Sequence, residues 1–189
     1  MTVTFSDVCR DYLALRGESP DLLPVLEEGE DSAVLTLAAR LRVCIPAASV
    51  RATLAAPPLS LDELREAVTA PMVDVGGVLT VRMPADYLRL YALRMEDWRE
   101  ALREVEKPTT LRGMLGANAP AWMICRERPM VSESRDASGV MLRIYGSRSF
   151  SPPTELIYVP LPAFDGERLT ISSSAYRLML TALAEGEAT

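Results

Sequence analysis

The absence of histidine limits the chemistry of this chain more than any residue type that is present. None of the 189 residues is a histidine, so the sequence has no zinc-finger pair, no H-E-x-x-H site and no serine or cysteine triad with a histidine base. The side chain whose ordinary pKa suits a general base near neutral pH is missing. Cys9, Cys44 and Cys125 lie in apolar surroundings and form no C-x-x-C pair. We expect them to be buried thiols of a protein in the reducing cytosol.

Four further motifs could carry chemistry, and each has a simpler structural interpretation. Gly76-Gly77 lacks the flanking residues of a phosphate-binding loop and is typical of a hairpin turn. The acidic cluster 27–31 lacks the spacing of a calcium loop, Ser172–Ser174 has no base nearby, and Cys125 has no partner base. These motifs are interpreted as a solvated loop, a helix cap and a strand thiol. The sequence thus predicts a non-enzymatic protein with no catalytic, cofactor-binding or metal-binding residues and no small-molecule substrate.

Aromatic residues and arginines occur together in the middle of the chain. This combination is typical of protein-interface anchors, and also of platforms that stack single-stranded nucleic acid. The simpler alternative is a set of core aromatics with arginines at the rim of the core. The four candidate interface residues are Tyr87, Arg89, Arg94 and Trp98.

The charge of the chain is acidic overall but unevenly distributed. The net charge of −6 argues against general or sequence-specific nucleic-acid binding. Residues 82–148 contain 12 basic and 9 acidic groups, whereas residues 1–81 contain 6 and 12, and residues 149–189 contain 2 and 5. Complementary patches of this kind would attract copies head to tail, although an uneven solvated surface is the plainer interpretation. The N-terminus and the short apolar stretches lead us to expect neither a secretory signal nor a membrane span.

An N-terminal helical layer is predicted over about residues 4–69. Thr4 with Asp7 predicts a capped helix that ends at Gly17. A second helix is predicted from Asp31 or Ser32, and Pro46 is expected to start or kink a third piece that ends at Pro57-Pro58. A fourth, short helix is expected to open at Ser60 and Glu63, with Leu61, Leu64 and Val68 facing inward and Pro71 ending it.

A small antiparallel β-region is predicted over about residues 72–160, followed by a C-terminal helix over about 172–185. Residues 73–75 and 78–83 are expected to form a hairpin around Gly76-Gly77. Residues 122–126 are expected to pair with 140–145 around a polar tip at 132–139, and residues 156–159 form a third strand. Propensity favours a helix through residues 88–95, with a strand left open. The predicted fold is α+β in a single domain, 1–189, with a helical segment over 1–70, a β-rich segment over 71–165 and a C-terminal helix over 170–186.

The segment LTVRMPADYLRLYALRMEDW, residues 79–98, carries a family resemblance. It resembles a motif of tailed-phage head–tail adaptor (neck connector) proteins, particularly those of phages and prophages of gut Bacteroidales. There a strand leads into a Leu-Pro-x-Asp-[Phe/Tyr]-Leu-Arg-Leu run, followed by a methionine and a tryptophan. Here the run is Met83–Leu90, with Met95 and Trp98 after it, and Met83 departs from the usual leucine. Residues 120–125, 141–145 and 155–160 are similar in order and spacing, so the likeness covers roughly residues 70–185.

The resemblance implies a structural protein of virion assembly that needs no active site. It implies a homo-oligomeric ring between portal and tail proteins, a location in the virion neck, and a strand at residues 88–95. During assembly the protein would be in the cytoplasm of the bacterial host. An acidic protein suits a lumen that lets DNA pass, because cationic walls would retain phosphate. The alternative is a small α+β ligand-binding or regulatory module of unknown ligand.

Overall fold

The computed structural model describes residues 1–19, 32–73, 78–105 and 129–186. In chain order the elements are β1 (Thr2–Thr4), α1 (Phe5–Leu15), α2 (Ser32–Ala55), β2 (Arg65–Glu66), β3 (Met72–Val73), β4 (Leu79–Arg82), β5 (Tyr87–Arg94), β6 (Met130–Asp136), β7 (Gly139–Tyr145), β8 (Glu155–Pro160), β9 (Ala163–Phe164), β10 (Arg168–Thr170) and α3 (Ser173–Glu185). The fold is α+β with a C-terminal helix, as the sequence predicts. No helix within the described ranges is long and apolar enough to cross a membrane.

The chain divides into two compact units. Residues 1–63 and 161–189 form one, here called the terminal unit, and residues 64–160 form the other, the central unit. Residues 1–63 of the predicted helical segment therefore belong to the same unit as the predicted C-terminal helix, whereas residues 64–70 belong to the central unit. The single-domain assignment stays a prediction.

Helix α1 begins where the sequence predicts. The Thr4 hydroxyl accepts a hydrogen bond from the Asp7 amide, and the Asp7 carboxylate accepts one from the Thr4 amide, which completes the capping box. Gly17, with φ of 72°, follows the helix in the left-handed region that glycine adopts easily. The buried face consists of Phe5, Val8, Cys9, Tyr12 and Leu13.

Helix α2 continues through Pro46, so of the two expectations at this proline, a new start is wrong and a kink stays a prediction. Proline lacks an amide donor and removes one hydrogen bond of the helix, and the surrounding turns keep the helix intact. The Ser49 hydroxyl donates to the Pro46 carbonyl at 2.9 Å, which satisfies one backbone acceptor close to the proline. Packing of the buried face outweighs the local cost. That face contains Leu41, Ile45, Ala48, Ser49 and Ala52.

Helix α3 packs against both α1 and α2 in the terminal unit. The Tyr176 hydroxyl donates to Asp11 of α1 at 2.7 Å. Burial and Asp11 together raise the pKa of Tyr176. Strands β1, β10 and β9 form an antiparallel sheet in this unit, in that order.

The predicted short helix after Ser60 is wrong. Pro58–Ser60 forms one 3₁₀ turn, and the chain then extends into β2, which pairs with β8. Val68, expected to face inward, is 87% exposed. The side chains assigned to a local capping box are used elsewhere, because the Ser60 hydroxyl donates to the Pro57 carbonyl at 2.8 Å and the Glu63 carboxylate pairs with the N-terminal ammonium of Met1.

The central unit contains two antiparallel sheets. One has the strand order β2-β8-β5 and the other β3-β4-β7-β6. The predicted hairpin of β3 and β4 is present, with Val73 opposite Leu79; its turn, at 74–77, lies outside the described residues. The two sheets share one apolar core, which includes Met83, Leu93, Met95, Trp98, Leu142, Ile144 and Tyr158.

Two strand expectations in the central unit need correction. Residues 87–94 are strand β5, as the resemblance implies and propensity does not. Strand β7 pairs with residues 130–136, which were expected to form most of a polar tip. Met130 and Val131 at the start of β6 are both fully buried, whereas the strand becomes exposed toward Asp136. The strand expected at 122–126 and the loop expected at 106–120 lie outside the described residues, as does most of the predicted loop 18–30.

Candidate interaction surface

The four candidate interface residues lie on β5 and the turn that follows it. Arg94 and Trp98 are brought together under a single surface loop, residues 146–154, which we call the Phe150 loop. Tyr87 lies elsewhere in the core. Arg89 lies between Tyr87 and Arg94 along strand β5. The structure therefore groups two of the four.

Trp98 holds the start of the Phe150 loop. Its side chain is 5% exposed, and its indole N–H donates to the Gly146 carbonyl at 3.3 Å. Gly146 has φ of 85°, a conformation that a β-carbon makes costly. A buried indole that bonds to the first loop residue fixes the direction in which the loop leaves β7.

Two carboxylates in the turn after β5 hold the middle of the loop. Asp97 accepts from the Ser147 hydroxyl at 2.7 Å and from the Arg148 amide at 2.9 Å. Glu96 accepts from the Ser149 hydroxyl at 3.1 Å. Hydrogen bonds to carboxylates are among the stronger ones in proteins. The middle of the loop is therefore attached to the turn after β5 by hydrogen bonds within the chain itself.

Arg94 holds the far end of the loop. Its carbonyl accepts from the Thr154 amide at 2.8 Å and from the Thr154 hydroxyl at 3.1 Å. Its guanidinium Nε donates to the same hydroxyl oxygen at 3.3 Å. Pro152 and Pro153 restrict the backbone just before Thr154, the residue that bonds to Arg94. Both ends and the middle of the loop are thus tied to one short segment, residues 94–98.

Phe150 is the side chain that this arrangement presents. It is 68% exposed, although phenylalanine is usually buried. Exposed Arg148 lies two residues before it. An exposed aromatic beside an arginine on a rigid loop is typical of an interface anchor. Phe150 was not among the candidate residues predicted from the sequence, where the available signal was an aromatic residue set between serines and followed by a Pro-Pro pair.

Tyr87 joins the two sheets of the central unit. It is 2% exposed, its hydroxyl donates to the Glu133 carboxylate at 3.1 Å, and its ring lies 5.9 Å from that of Tyr158. Burial, and then Glu133, raise the pKa of Tyr87. Arg89 is half-buried, and burial lowers its pKa. Tyr87 and Trp98 thus contribute from inside the unit, and the interface assignment of all four residues stays a prediction.

A second surface feature is a groove between α2 and α3 in the terminal unit, called the helix groove. Its volume is about 340 Å³. The small side chains of Ala48, Ala52, Ala55 and Ala182 line it, together with Leu178. Arg51 and Glu185 are its charged lining residues. The groove is therefore apolar at its base, with one charge of each sign.

The remaining motifs of the sequence are placed as follows. Cys9 is buried as expected, whereas Cys44 is only half-buried. Ser172 occupies the N-cap position of α3, but its hydroxyl donates to Asp62 and caps no backbone amide of the helix. Asp62 accepts from the Ser173 amide at 3.1 Å and so serves as the cap. Cys125, the acidic cluster 27–31 and Gly76-Gly77 lie outside the described residues.

Comparison with protein-family models gives no match, and comparison with curated protein sequences gives none either.

Proposed function

We propose that this chain is a phage or prophage head–tail adaptor, a non-enzymatic protein that binds the portal, the tail and further copies of itself in the virion neck. The proposal rests mainly on what the last residues of the adaptor-like motif do: they form hydrogen bonds to the Phe150 loop. Residues 94–98, which close the adaptor-like motif, hold an exposed aromatic on an ordered loop. A segment used in this way serves binding to other proteins better than catalysis.

The charge of the chain supports the same function. The chain is acidic overall, with a net charge of −6. A ring that encloses moving DNA benefits from walls that do not hold phosphate. The strand conformation of β5 also agrees with what the resemblance implies for this segment.

The test is binding to a portal protein encoded in the same gene cluster. Purified chain and portal would be mixed and examined by size exclusion with light scattering and by electron microscopy. We expect a ring of this chain on the portal, and loss of that ring with Phe150→Ser. A chain that neither forms a ring nor binds the portal contradicts the proposal.

The second candidate is the ligand-binding module, and the helix groove is the observation in its favour. Its volume of about 340 Å³ lies within the range of small-molecule pockets, roughly 300–1,000 Å³. A thermal-shift screen with apolar anions and cations distinguishes the two candidates. A ligand that stabilises wild type but not Ala52→Leu, which narrows the groove, would favour the module.

A further inference from the structure

We propose that the Phe150 loop of one copy docks into the helix groove of a second copy. This inference rests on the proposed function, in which copies of the chain lie side by side. It adds the two surfaces through which neighbouring copies touch.

The two surfaces match in shape and polarity. Phe150 projects an aromatic ring from a loop that is already ordered. The helix groove is wide because alanines line it where larger side chains would fill it. Burying an aromatic side chain in such a groove removes apolar surface of both partners from water. Little loop entropy is lost on docking, because hydrogen bonds to residues 94–98 already hold the loop.

The two surfaces also match in charge. The terminal unit contains 7 basic and 14 acidic residues, and the central unit contains 13 and 12. The net charges are therefore −7 and +1. Arg148, beside the aromatic, approaches a groove whose charged lining residues are Arg51 and Glu185, and we expect it to pair with Glu185. Charges of this kind mainly steer the approach and select the partner.

The partner is a second copy because one chain carries both halves of the contact. The Phe150 loop belongs to the central unit and the helix groove to the terminal unit. A contact between two different surfaces of identical chains is heterologous, and it repeats until a ring closes or a filament grows. A head-to-tail contact of this type is what a ring of adaptor subunits requires.

The experiment places a photo-crosslinker at position 150. Phe150→p-benzoylphenylalanine is illuminated in the chain alone and on the portal, and cross-linked peptides are identified by mass spectrometry. We expect links to residues 48–55 or 178–185 of another copy. Ala137, exposed at the β6–β7 turn, is the control position and should give no such link. Links to other regions of the chain, or no links between copies in either sample, overturn the inference.

A charge exchange provides an independent readout. Arg148→Glu and Glu185→Arg should each weaken self-association about two- to fivefold, and the double variant should recover it. Phe150→Ser should weaken it about tenfold or more. No recovery in the double variant contradicts the pairing of these two charges.

The outcomes separate this inference from the proposed function. Links from position 150 to the portal only would overturn the self-contact and leave the adaptor function supported. Links to the helix groove in a chain that does not bind the portal would support the self-contact and contradict the adaptor function.

Discussion

Asp62 connects two regions of the terminal unit that are far apart in sequence. Its carboxylate accepts hydrogen bonds from the Ser172 hydroxyl, from the Ser173 amide and from the Ser173 hydroxyl, the last at 2.7 Å. These bonds, the one from Ser172 first, hold the pKa of Asp62 well below its ordinary value of 3.8. The carboxylate thereby caps α3 from outside the helix.

We predict that Asp62→Asn destabilises the protein by about 1 kcal/mol at neutral pH, because the amide keeps one acceptor and loses the charge. A lowered folded-state pKa contributes stability above the ordinary value and loses it as the pH falls below that value. The difference between wild type and variant should therefore shrink below about pH 4. Urea unfolding at several pH values measures it. Glu66→Gln, at an exposed carboxylate of β2, is the control and should give no comparable difference.

The role of Tyr87 can be separated from docking by removing its hydroxyl. Tyr87→Phe leaves Glu133 without this donor, and we expect a loss of about 1 kcal/mol in the free energy of unfolding, measured in urea. Tyr91→Phe, on the same strand, is the matched control and should cost less. Self-association of the folded Tyr87→Phe variant should stay unchanged. A stable variant that fails to assemble would instead make Tyr87 a direct contact.

At the scale of elements, the sequence predicts those helices and strands whose determining residues lie close together along the chain. Helix α1 is predicted with its cap because Thr4 and Asp7 lie within one turn. Strand β5 was expected to be helical because propensity favours a helix there. In the structure its core residues Tyr87, Leu90 and Leu93 are spaced by three, and two irregularities in the pairing with β8 allow residues at this spacing to reach the same core. No local pattern in the sequence reveals these irregularities.

The Phe150 loop was missed because its support comes from far along the chain. Asp97 bonds to residues about fifty positions later. A serine-rich and proline-rich stretch alone predicts only a turn. The candidate residues Arg94 and Trp98 were found from their types, but their contacts with the loop could not be predicted.

We predict that Asp97→Ala loosens this loop without unfolding the central unit. The Arg148 amide loses its acceptor, and its hydrogen exchange should become about tenfold faster. Self-association should weaken in parallel, since a mobile loop loses entropy on docking. Glu100→Ala removes the same charge at a nearby exposed site and should change neither quantity. Unchanged exchange at Arg148 would contradict the positioning role of Asp97.

At the scale of the whole molecule, the two ends of the chain fold into one unit. Strand β1 pairs with β10, and α1 and α2 pack against α3. The sequence predicts an α+β fold and the C-terminal helix correctly, but it does not place that helix beside the first ones. Contacts between residues more than a hundred positions apart, such as Asp62 with Ser172, leave no periodicity to detect.

The division into two units also gives them different net charges, and this difference predicts how self-association depends on salt concentration. The terminal unit has a net charge of −7 and the central unit +1, so a head-to-tail contact brings unlike units together. The Debye length falls from about 10 Å at 0.1 M salt to about 3 Å at 1 M. Self-association measured by sedimentation should therefore weaken severalfold between these salt concentrations. Glu185→Arg should reduce that salt dependence, because it removes the carboxylate that we propose faces Arg148 of the neighbouring copy. Association that strengthens steadily with salt would mean that apolar burial alone holds the copies together.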